Sequence, residues 1–133
     1  MAKLLLVDDD PTLLNLLGRL LRRAGHEVRE ANGGEEALAA AGREAFDVII
    51  TDVMMPGLGG YELTRRLRAD PAARDTLILI ITSHLHGPDP ARAMLAGADD
   101  CDTKTVNVAR LNQKIETLLA ARAAAPNSEP QEV

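Results

Sequence analysis

Aromatic side chains are almost absent: the chain of 133 residues has one Phe, one Tyr and no Trp. Base-stacking on aromatic platforms therefore has no residues to use, and the core must be packed from Leu, Ile, Val and Ala. A basic surplus is also missing. The formal charge is −5 and the Arg residues are scattered among acids, so the electrostatic footprint of a nucleic-acid partner is not there. One Cys excludes an internal disulfide framework and suits a reducing compartment. No apolar stretch approaches membrane-spanning length, and the opening run turns acidic too soon, at Asp8-Asp9-Asp10, for a signal peptide. These absences predict a soluble, cytoplasmic, mildly acidic domain with no nucleic-acid or membrane partner. At 46% apolar content, one well-buried core is within reach of this length.

What is present is an alternation of short apolar runs and helical periodicity. Leu4-Leu5-Leu6-Val7 reads as a strand buried on both faces. Asp10-Pro11 then marks a helix start, with Asp10 as N-cap and Pro11 in the first turn. Leu13, Leu14, Leu17, Leu20, Leu21 and Ala24 follow at helical spacing until Gly25. His26 to Glu30 is a weaker strand. Asn32-Gly33-Gly34 turns the chain into an Ala-rich helix from Glu35 to about Ala41, which Gly42 stops. Val48-Ile49-Ile50 delivers Asp52 to a loop rich in Pro56, Gly57, Gly59 and Gly60, after which a helix through Tyr61, Leu63 and Leu67 ends at Asp70-Pro71. Leu77 to Ile81 is a central-strand candidate ending at Thr82-Ser83. A loop with His84 and His86 leads to a short helix through Met94 and Leu95 that Gly97 ends. A polar strand around Asp100 to Thr103 precedes Lys104, and a last helix carries Val108, Leu111, Ile115, Leu118 and Leu119 on one stripe. Residues 1–122 are expected to form one domain, and 123–133 to be a disordered tail.

Five such alternations imply an α/β fold, a doubly wound five-stranded parallel sheet with helices on both faces. In that architecture the carboxyl ends of the strands share one rim, where ligands collect. Asp8 and Asp9, Asp52, Thr82 and Lys104 all sit at such ends. Each has a plainer reading by itself: Asp52 as a turn acid, Asp8 and Asp9 as helix-dipole acids, Thr82 as a packed strand residue, Lys104 as a solvated charge. Together they make a different case. Three converging carboxylates repel one another unless their pKa values rise or a cation binds, and Mg²⁺ takes oxygen ligands and bridges carboxylates to phosphate. Lys104 and Thr82 suit the outer oxygens of a phosphoryl group, with Asp52 as the nucleophile.

With LLLVDDDP, DVIITDVMMPG, LILIITS and GADDCDTK in that order, the chain resembles the receiver domains of two-component response regulators over roughly Lys3 to Leu119. The resemblance implies a flavodoxin-like strand order 2-1-3-4-5. It also implies phosphorylation of Asp52 by a histidine kinase or phosphotransfer protein. Asp9, Asp52 and the Met54 carbonyl would hold Mg²⁺, with Asp8 as a partner through metal-bound water. Thr82 becomes the switch hydroxyl and Lys104 the phosphate-pairing lysine. The last two helices and the strand between them would be the surface for an effector protein or a homodimer. On this reading the chain is not an enzyme, and is either a stand-alone regulator or one part of a longer protein.

Three positions depart from the family pattern. Thr105 follows Lys104 where receivers carry a cis proline, and a trans Lys104–Thr105 bond is expected because cis before a non-proline costs about 2.5–4 kcal/mol. Cys101 stands at the aromatic switch position, where a small side chain on a buried strand would be inert core, and Gly59 replaces a common acid. His84 and His86 read as loop residues, with His84 placed to tune the phosphoryl lifetime. Two alternatives stay open. One is a pseudo-receiver that binds a partner without phosphorylation. The other is a phosphatase of the haloacid-dehalogenase type, whose D-x-D-x-T pattern Asp8 to Thr12 satisfies.

Overall fold

The structure, a computed structural model, describes residues 1–83, 87–104 and 107–124. Five strands and five helices alternate: β1 Lys3–Val7, α1 Pro11–Arg23, β2 Glu27–Ala31, α2 Gly34–Arg43, β3 Val48–Asp52, α3 Gly60–Ala69, β4 Leu77–Thr82, α4 Pro90–Ala96, β5 Asp100–Thr103 and α5 Val108–Ala124. The strands pair in parallel in the order β2-β1-β3-β4-β5, the expected flavodoxin-like arrangement. The order reverses direction beside β1, so the switch point lies between β1 and β3, where a doubly wound sheet leaves a crevice.

The unbroken apolar runs follow from burial on both faces. Leu5, Val7, Ile49, Ile78 and Ile80 point to one side and meet Ala37 of α2, Leu63 and Leu67 of α3, and Ala93 of α4. Leu4, Leu6, Val48, Ile50, Leu79 and Ile81 point to the other and meet Leu14, Leu17 and Leu21 of α1 with Leu111 and Ile115 of α5. Each fully buried aliphatic side chain contributes about 1.5–3 kcal/mol, so these three central strands carry most of the fold's stability. The edge strand β2 is more polar, with Val28 and Ala31 buried on opposite faces and Glu27 and Arg29 exposed. It begins one residue later than expected because His26 turns inward and its Nδ1 accepts a hydrogen bond from the Ala2 amide.

Helix starts and stops follow local chemistry. Asp10 caps α1, its Oδ1 accepting from the Thr12 and Leu13 amides, and Pro11 opens the first turn. Asp89-Pro90 repeats the device at α4. Gly97 ends α4 with φ 107°, a left-handed conformation that favours glycine. Helix α2 runs through Gly42 to Arg43, and α5 continues through Ala123 and Ala124, two residues into the segment expected to be a tail. His84, His86, the Lys104–Thr105 bond and residues 125–133 lie outside the described residues. Among the described residues no helix is long and apolar enough to cross a membrane.

Candidate functional site

The candidate site lies at the carboxyl ends of β1, β3, β4 and β5. Asp8 and Asp9 follow β1 directly, Asp52 is the last residue of β3, Thr82 the last of β4, and Lys104 follows β5. Asp8 and Asp52 are only 2% and 6% exposed, while Asp9 is exposed, and one carboxylate oxygen from each of the three falls within 4.8 Å of the others. The expected convergence of residues 44 positions apart in sequence is thus present. Asp10, the fourth acid of the run, is occupied with capping α1 and does not join the cluster.

Lys104 is the cation of the site. Its Nζ donates to Asp52 Oδ2 at 2.9 Å and lies 2.7 Å from Asp8 Oδ2. The second contact is an ion pair that sets the ammonium against a fully buried carboxylate oxygen of Asp8. Asp8, expected to meet a metal through bound water, also pairs directly with the lysine. Burial raises the Asp8 carboxyl above its ordinary pKa, while Lys104 and the Asp10 amide pull it down. For Lys104, burial works against the charge, but Asp8 and Asp52 outweigh it and hold the ammonium above its ordinary value.

The backbone holds these groups in place. The Lys104 amide donates to the Thr82 carbonyl at 2.6 Å, so Thr82 and the lysine are joined across the β4–β5 ladder. Asp52 Oδ1 accepts from the Val53 amide at 2.7 Å, which with Lys104 on Oδ2 orients the whole carboxylate. The loop after β3 folds back tightly: the Gly60 amide donates to Val53, and a Cβ at Gly60 would lie 2.2 Å from the Asp52 carbonyl oxygen. Only glycine fits there. Met54, whose carbonyl is expected among the metal ligands, sits in this loop and is 58% exposed.

The donor set suits a hard divalent cation. Three carboxylates, two of them buried, offer oxygen ligands and excess negative charge, and no thiolate or imidazole belongs to the group. Sequence reasoning did not find the pair Asp102–Arg110, in which Arg110 Nη2 and Nε donate to the two Asp102 oxygens at 2.9 and 3.0 Å. An acid inside a strand with an Arg eight residues later was the available signal.

A parallel sheet of this order, with an acidic, lysine-bridged rim at its switch point, is the architecture of the flavodoxin-like signalling domains. The model of the response regulator receiver domain matches residues 4–116, and the chain belongs to that family. It is 43% identical over 129 residues to the virulence sensor protein BvgS of Bordetella bronchiseptica, covering 93% of this chain but only 10% of that protein. The chain thus spans about a tenth of that relative. Protein PilH of Pseudomonas aeruginosa is 36% identical, with 90% of this chain and 99% of PilH covered. Among solved structures, chemotaxis protein CheY4 of Vibrio cholerae superposes with a TM-score of 0.81 at 34% identity, covering 88% of this chain and 98% of that one. Response regulator TrrA of Thermotoga maritima, solved with Mg²⁺ and BeF, gives 0.78 at 32% identity, with 89% and 99% covered.

Proposed function

We propose that this chain accepts a phosphoryl group on Asp52 from a histidine kinase or phosphotransfer protein, in a Mg²⁺-dependent reaction, and that the added charge switches partner binding. The observation that carries the reading is the Lys104 ammonium shared between the Asp8 and Asp52 carboxylates at the rim of the sheet. A structural ion pair needs one carboxylate. A phosphoacceptor site needs an acid cluster for the metal and a cation ready to leave it for phosphate.

In this reading the Asp52 carboxylate attacks the donor's phosphorus. The new P–O bond forms as the donor's P–N bond breaks, and the imidazole leaves with that electron pair and takes a proton. The Val53 amide and Lys104 hold the attacking carboxylate in one orientation. Bound by Asp8, Asp9, Asp52 and the Met54 carbonyl, Mg²⁺ would neutralise charge on the transferring oxygens. Lys104 then shifts from the carboxylates to a phosphoryl oxygen, and the Thr82 hydroxyl donates to another, which draws on the β4–β5 connection. The chain acts as a phosphoacceptor and turns over no external substrate.

The switched surface is α4, β5 and α5, the expected interface for an effector or a second copy. Met94 and Leu95 of α4 support it, since these large apolar side chains are 74% and 86% exposed. The complex of TrrA with Mg²⁺ and BeF supplies the test by analogy. Mg²⁺ with beryllofluoride, or with a small phosphodonor, loads the wild-type chain and not Asp52→Asn. A chain that loads neither is a pseudo-receiver, and phosphate-ester turnover retained by Asp52→Asn would point to a phosphatase.

A further inference from the structure

On the α1 and α5 side of the sheet, β4 presents Leu79 and Ile81, and the register sets Asp100 beside Leu79 and Asp102 beside Ile81. The same face of β5 therefore carries two carboxylates where the neighbouring strands carry aliphatic side chains. Each is met by a cation from α5: Arg110 grips Asp102 with two bonds, and Lys114 Nζ lies 2.8 Å from Asp100 Oδ2. The periods match, because two strand residues advance about 6.6 Å and four helix residues about 6 Å. Helix α5 is thus fastened to the edge strand by two ion pairs, while Leu111 and Ile115 face the core.

Asp102 is the buried member, and Arg110 holds its carboxyl below the usual carboxylate range. Lys104 lies two residues beyond it. Just before α5, Asn107 Oδ1 accepts from the Arg110 amide at 3.2 Å and opens the helix. In sequence Lys104 therefore lies between Asp102 and Arg110, and those two residues are joined directly. A lysine side chain loses about 1.5–2 kcal/mol of rotamer freedom when held in one place, so its backbone anchor has to be firm for it to stay between two carboxylates.

We propose that the Asp102–Arg110 pair is a positioning element for Lys104, fixing the end of β5 against the start of α5 so that Nζ stays between Asp8 and Asp52; the proposal rests on the reading of Asp52 as phosphoacceptor. Its signature is a split between two readouts. A loosened Lys104 pairs less well with the transferring phosphoryl group, which slows loading. The same loosening removes a competing cation from the carboxylates, which tightens Mg²⁺ binding. General damage to the rim weakens both.

The experiment compares the full chain with Arg110→Ala and Asp102→Ala. The second variant leaves no buried acid without a partner, and Arg110, whose side chain is 58% exposed, turns to water. Backbone amide shifts during titration with MgCl₂ alone give the Mg²⁺ midpoint, and mass spectrometry gives the loading rate from acetyl phosphate at saturating Mg²⁺. Both variants load about tenfold more slowly, as a misplaced reacting group does, while their Mg²⁺ midpoints move to lower concentration. Arg110→Lys, which keeps the charge but not the two-bond grip, falls between. Wild-type rate and midpoint in Asp102→Ala overturn the proposal, and so does a parallel loss of rate and Mg²⁺ affinity in both Ala variants. If the wild type itself does not load, the phosphoacceptor reading fails, while the Mg²⁺ midpoints still report on Lys104.

Discussion

Replacing Lys104 with Ala leaves two buried carboxylates without their cation. In the wild type Nζ stands 2.7 Å from Asp8 and 2.9 Å from Asp52. At that range unit charges attract by about 6 kcal/mol at an effective dielectric of about 20, and most of this offsets the loss of hydration. Removing one partner of a buried pair costs about 3–5 kcal/mol because the other charge stays buried. The Lys104 side chain is 18% exposed, so water reaches the pair and the lower figure, about 3 kcal/mol, applies. For a domain of this size that is a fall in melting temperature of about 10 °C in Mg²⁺-free buffer. A ligand at about 100 times its Kd stabilises by about 2.7 kcal/mol, so MgCl₂ restores most of the loss. Calorimetric melts of both proteins with EDTA and with MgCl₂ check this. Equal melting temperatures in EDTA, or a variant that gains no more from Mg²⁺ than the wild type, would refute the electrostatic account of the rim.

Three further outcomes follow from the same geometry. The folded protein holds the Asp8 carboxyl above its ordinary pKa, so the folded state binds the proton more tightly and stability falls as pH rises from the ordinary value through the raised one. Asp8→Asn therefore melts higher than wild type at neutral pH in EDTA, and the difference shrinks on acidification; a lower melting temperature at neutral pH contradicts this. Gly60→Ala pushes a methyl against the Asp52 carbonyl and costs about 3 kcal/mol by denaturant titration, whereas Gly42→Ala in α2, with open space around it, gains about 0.5–1 kcal/mol. Arg68 donates to the carbonyls of Gly97, Arg74 and Thr76 and to Asp99, tying α3 to the end of α4 and the start of β4. Arg68→Ala lowers stability by about 1–2 kcal/mol in the same titration, because two part-buried carbonyls, Gly97 and Thr76, lose a charged donor.

Much of this was legible in the sequence where one physical rule acted alone. The runs at Leu4, Val48 and Leu77 had to be strands buried on both faces, and Asp10-Pro11 had to open a helix, because neither depends on distant residues. The rim was legible because a parallel sheet brings strand ends together whatever the loops do. The pairing of Lys104 with Asp8 as well as Asp52 was not, since it depends on where a long side chain settles among charges 52 and 96 residues away. Asp102–Arg110 was hidden for a related reason: it requires the register of strand against helix, and a strand acid reads locally as a misplaced polar residue. Cys101 was expected to be buried core; it is half-buried against the cluster on the α2, α3 and α4 side, with burial pushing its thiol pKa up. His26 read as the start of a strand, but its ring turned inward to the Ala2 amide.

The central claim is that Asp52 takes the phosphoryl group. Intact-protein mass spectrometry of the wild type and Asp52→Asn after acetyl phosphate, with and without MgCl₂, followed by peptide mapping, tests it most directly. The account predicts one phosphoryl group on Asp52, labile to base and to hydroxylamine, formed only with Mg²⁺ and absent from the variant. No adduct on the wild type, or the same adduct on both proteins, would contradict it.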